Sequence, residues 1–178
     1  MAFGVSQADV QTVVDELMLL PEGLIDLMIE DELKIDIGHS LSQELVPEGF
    51  DEDASVWTPG VCGGDRIVLA TKLFEGRKLG PGSILHEIGH WLADEIGIPK
   101  GFEDAYKKDL AAGNVSPPWD TGRNDNYYHP DKNPDEYLVE AFAEAFLLAY
   151  TNCGNHFFRQ WPHMVGLIRR LARQGRLW

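Results

Sequence analysis

From Ser6 to Leu20, apolar residues recur every three or four positions, at Val10, Val13, Val14, Leu17 and Leu20, the spacing of one helix face. Ser6 stands where an N-cap is wanted, with Asp9 three residues on. Pro21 suits a first helical turn, so a second short helix is predicted through about Asp31, with Leu24, Ile25, Leu27, Met28 and Ile29 apolar. Lys34–Gly38 alternates polar and apolar side chains and stops at glycine, as a half-buried strand does. Residues 46–65 are rich in Gly, Pro and Asp without any period and read as loop. Arg66–Ala70 reads as a second strand, bounded by Gly63, Gly64 and Asp65.

Gly80, Pro81 and Gly82 break the chain, and Ser83 can cap a helix from Ile84 to about Glu95, before Gly97 and Pro99. A fourth helical stretch, Phe102 to Ala112, leads into residues 113–134, which carry four prolines and several aromatics. Loops of that length are uncommon in compact domains and serve as lids or binding loops. A strongly apolar helix is predicted from about Asp135 to Tyr150, and a last one from Pro162 to Gln174. With helices dominant and strands few and short, the expected class is α+β, one mainly helical domain over residues 1–178.

The chain has 178 residues, 44% hydrophobic, enough for a real core, and a formal net charge of −14. That balance excludes nucleic acid or an anionic membrane surface as the main partner, since both require a basic footprint. The charge is uneven: no acid follows Glu144, while Arg159, Arg169, Arg170, Arg173 and Arg176 crowd the last segment and are expected to pair with the acidic body. No basic residue precedes Lys34, so no secretory leader is read, and no apolar run reaches the ~18 residues of a membrane span. Cys62 and Cys153 are too few for a disulfide scaffold. A cytoplasmic location is the default expectation, with leaderless secretion or synthesis within a larger chain left open.

The informative stretch is His86-Glu87-Ile88-Gly89-His90. Residues four apart on a helix share a face, so both imidazoles reach one ion, and neutral imidazole suits zinc. Glu87 lies about 100° round the helix, placed to take a proton from a water. Ile84, Leu85, Ile88, Trp91 and Leu92 bury this helix, and a core helix rarely holds two histidines and a glutamate without a use for them. The extended pattern with a third histidine is excluded, because Ala93 and Ile96 stand where it needs glycine and histidine. A third ligand therefore falls to a carboxylate further on. Glu140 and Glu144 stand one turn apart among Leu138, Val139, Phe142, Phe146 and Leu147, where carboxylates are costly unless they bind metal or hold a partner. One can be the ligand, and the other can orient a ligand imidazole. His39, His129, His156 and His163 read as surface residues.

The HEIGH run followed by Glu140-Ala141-Phe142-Ala143-Glu144-Ala145-Phe146 resembles the anthrax lethal-factor-type zinc peptidases, which include the Pro-Pro endopeptidases. The resemblance implies a zincin-like catalytic domain with a small sheet and one zinc per chain. It implies His86, His90 and Glu140 as ligands, Glu87 as general base and Glu144 behind the ligands. Asn133-Pro134-Asp135-Glu136 also fits the family's lead-in, making Glu136 a rival ligand. Glu140 is preferred, because choosing Glu136 would strand Glu144 two turns deep among Phe and Leu. The family's catalytic tyrosine falls at Asn133 here, so Tyr128, with Tyr127 as rival, is expected to reach over the zinc from the long loop.

These readings converge on a zinc-dependent endopeptidase acting on a peptide or protein substrate. Strand 66–70 is expected to offer its edge to that peptide. The alternatives are a zinc hydrolase of a non-peptide amide, and a non-proteolytic binding protein of phage or toxin-accessory type that keeps the peptidase fold.

Overall fold

The structure is a computed structural model that describes residues 5–38, 60–70, 82–114, 130–131, 134–151 and 161–177. Among these residues the chain is mostly helical with one small sheet, the α+β class expected. It divides into two compact units, Met1–Trp91 and Leu92–Trp178. No helix among the described residues is long and apolar enough to cross a membrane.

The first unit opens with α1 (Gln7–Leu17) and α2 (Glu22–Glu30). Ser6 and Asp9 form a reciprocal capping box: the Asp9 N–H donates to Ser6 Oγ at 3.2 Å and the Ser6 N–H donates to Asp9 Oδ2 at 3.1 Å. The buried side of α1 is narrower than its apolar pattern. Within α1 only Val13 is buried, whereas Val10 and Val14 are each 42% exposed, and Val14 lies about 100° round the helix from Val13; Leu20, also buried, falls past the helix end.

The sheet contains β1 (Lys34–Gly38), β2 (Gly60–Gly63) and β3 (Arg66–Ala70) in the order β1-β3-β2. β1 runs parallel to β3, aligning Ile35 with Ile67 and Ile37 with Leu69. β2 runs antiparallel to β3 through a two-residue turn in which Gly64 takes a φ of +56°. Two expectations are corrected. Gly60–Gly63, assigned to loop, is a strand; half of its four residues are glycine, so it shows no alternation, and the turn and its neighbour impose the pairing. β3 cannot offer an edge to a peptide, because it is the central strand of the three, and Ile67, Val68 and Leu69 are fully buried.

Helix α3 (Ser83–Ile96) carries the HEIGH run. Its entry is fixed by α1: the Gly82 N–H donates to Glu16 Oε1 at 2.6 Å. A carboxylate at a helix N-terminus meets the positive end of the helix dipole. Burial nevertheless outweighs this bond and raises the Glu16 pKa above its ordinary value.

The second unit comprises α4 (Phe102–Ala111), α5 (Tyr137–Tyr150) and α6 (Pro162–Arg173). The Phe102 ring meets Phe142 edge-on at 5.2 Å between centroids. α6 begins without a side-chain cap of its own. Asp109 of α4, fully buried, accepts from the backbone N–H groups of Met164 at 2.9 Å and His163 at 3.1 Å, and so caps α6 from another helix. Arg169 Nε donates to the Ala149 carbonyl at 3.0 Å, with Nη2 toward that of Leu148 at 3.4 Å. That places a cation at the carbonyl end of α5.

Candidate metal centre

α3 is amphipathic in an unusual sense, because its apolar face buries Ile84, Leu85, Ile88, Trp91 and Leu92 while its half-exposed line presents His86 and His90. One helical turn brings the two imidazoles edge to face, with ring centroids 4.8 Å apart and planes at 76°. Their Nε2 atoms stand 3.1 Å apart. Two nitrogens each about 2.1 Å from a tetrahedral ion would be separated by about 3.4 Å, so the pair is already close to the spacing zinc asks for.

Glu87 follows His86 and turns inward, only 4% exposed. Its side chain lies against Gly60 of β2: a Cβ built on Gly60 would meet Glu87 Cγ at 2.7 Å and Oε1 at 2.9 Å. Nothing in the sequence flags this approach. Only the strand pairing that brings Gly60 level with Leu69 reveals it.

Along α5 the three glutamates grade with depth. Glu136 is exposed at the N-cap position, Glu140 is half-buried one turn on, and Glu144 is only 2% exposed another turn on. His86, His90 and Glu140 each offer one ligand atom, and these atoms lie within 4.8 Å of one another. Two imidazoles and a carboxylate are a donor set that zinc accepts, leaving further coordination positions for water or substrate. The arrangement fits such an ion by the chemistry of the donors and by the closeness of the two Nε2 atoms.

Other sequence candidates fall elsewhere. Tyr128, its rival Tyr127, and Asn133 lie outside the described residues, as do His39, His129, His156 and Cys153. Tyr137 packs its ring on Tyr106 of α4, centroids 5.2 Å apart. His163 is exposed at the start of α6, where its backbone serves the Asp109 cap.

The fold is similar to a solved structure described as "Structure of the PRO-PRO endopeptidase (PPEP-2) from Paenibacillus alvei", with a TM-score of 0.61 over 96% of this chain and 95% of that one. Sequence identity is 16%, so the likeness is one of fold. No family model and no curated protein matches the sequence.

Proposed function

We propose that this protein is a zinc-dependent endopeptidase in which His86, His90 and Glu140 hold one zinc ion. The observation that carries the reading is the convergence of three ligand atoms of zinc-compatible type within 4.8 Å, beside an enclosed carboxylate, Glu87. Zinc in such a site acidifies a water and polarises a scissile carbonyl. Glu87 is the general base: it takes the proton from the attacking water and delivers it to the departing amine. Glu144, one turn beyond Glu140 in the apolar interior of α5, orients a ligand imidazole. Tyr128 is assigned the hydrogen bond to the oxygen that gains charge during attack.

The substrate in this reading is an extended peptide. β2 is the better strand for it to join, being an outer strand of the described sheet whose Gly60 touches the base. The likeness to a Pro-Pro endopeptidase makes peptides with consecutive prolines the first to try. The test is to incubate the zinc-loaded protein with a diverse peptide library that includes such sequences, with and without a chelator, and to read cuts by mass spectrometry. Cuts that vanish with chelator and return with zinc support the endopeptidase. A folded, zinc-loaded protein that cuts nothing contradicts it and favours the non-proteolytic binding protein.

A further inference from the structure

We infer that Gly60 is a positioning residue for Glu87: the missing side chain at this place in β2 is what allows the Glu87 carboxylate to lie where it does. The inference builds on Glu87 being the base, and it concerns a residue in a different element, reached through the sheet. Gly60 pairs with Leu69 across the β2–β3 ladder, which fixes its height on the sheet and turns its Cα toward α3. A Cβ there would stand 2.7 Å from Glu87 Cγ, 2.9 Å from Oε1 and 2.9 Å from Leu69 Cδ2. Ordinary contact begins at 3.4 Å, so something must give way.

The two neighbours differ in how they can do so. Leu69 Cδ2 is the end of a flexible side chain and can rotate aside. Glu87 Cγ is near the root of its side chain, on a helix whose apolar face is locked by Ile84, Leu85 and Ile88, so yielding there swings the carboxylate. A displacement approaching ~1 Å at a reacting group costs on the order of 100-fold in rate. Gly60 therefore acts on the reaction through Glu87, having no side chain of its own to bring to the ion or to the scissile bond.

A double-mutant cycle tests the contact without relying on catalysis. Thermal midpoints are measured for the zinc-loaded wild type, Gly60→Ala, Glu87→Ala and the double variant. The midpoint drop caused by Gly60→Ala is expected to shrink to half or less when Glu87 is already alanine. An equal drop in both backgrounds, or failure of Gly60→Ala to fold in both, overturns the inference, because the intolerance then belongs to the sheet. Folding of Gly60→Ala only in the Glu87→Ala background supports it outright.

A second arm reads the consequence. Gly60→Ala should retain its zinc and lose on the order of 100-fold in kcat with KM little changed. Trimming the other neighbour, as in Gly60→Ala with Leu69→Ala, should not restore the rate. An unchanged kcat, or rescue by Leu69→Ala, overturns the positioning role. Absence of cleavage by the wild type would instead remove the endopeptidase reading, while the thermal cycle would still decide whether Gly60 makes room for Glu87.

Discussion

Helices α3 and α5 both carry glutamate through apolar surroundings, yet they place it by different means. On α3 the acid is set by its immediate neighbours: Glu87 lies between two imidazoles in sequence, turns to the buried side of the helix, and meets Gly60 of β2. On α5 the same residue type recurs once per turn, and depth alone separates exposed Glu136, half-buried Glu140 and enclosed Glu144. A carboxylate's chemistry thus follows from where its helix dips below the surface as much as from the motif that contains it. Glu140, the half-buried one of the three, is the one whose carboxylate groups with His86 and His90.

The largest effect expected from this contrast is on α3. Glu87→Gln keeps size and helix but removes the proton acceptor, so cleavage should fall by several orders of magnitude while zinc content stays near that of wild type. Metal analysis and cleavage assays on one preparation check it. Near wild-type cleavage would take the base away from Glu87.

On α5 the same substitution made three times should give three results. Glu140→Gln should weaken zinc binding most. Glu144→Gln should weaken it by the 10–100-fold typical of a residue that orients a ligand. Glu136→Gln should leave it nearly unchanged, because an exposed acid at the N-cap position mainly favours the helix terminus. Competition with a chromophoric chelator measures all three, and the reverse order would move the ligand to Glu136.

Much of this was legible in the sequence because it is local. Ser6 with Asp9, the apolar spacing of α5 and the i, i+4 histidines all act within one or two turns of chain. What was not legible acts across the chain. β2 has too few side chains to show a pattern, and its existence depends on β3 beside it. The parallel pairing of β1 with β3, which turned the expected edge strand into the central one, joins segments far apart in sequence. The sequence leads one to expect Arg169 to pair with the acidic body and draws no attention to Asp109, yet each serves the end of another helix. A residue that caps a distant helix carries no local signal, since its partners are backbone groups that every residue has.

The smallest predicted effect concerns the entry to α3. Because burial raises the Glu16 pKa, the folded state binds its proton more readily than the unfolded chain does. Its contribution to stability is therefore lost as pH rises from about 4.5 through the raised value. Glu16→Gln keeps an oxygen for the Gly82 N–H and removes the buried charge. Relative to wild type it should be more stable at neutral pH, with the gap closing as pH falls toward 4.5. Thermal melts of both proteins across that range check the sign, and a gap that widens on acidification would contradict it.

Whether His86, His90 and Glu140 together hold one zinc ion is decided by calorimetric titration of zinc into the metal-free, folded protein. Saturation at one zinc per chain is expected in the wild type, and loss of that binding in His90→Ala under the same conditions. A folded wild-type protein that takes up no zinc saturably, or a His90→Ala protein that binds it as well as wild type does, would rule this zinc site out.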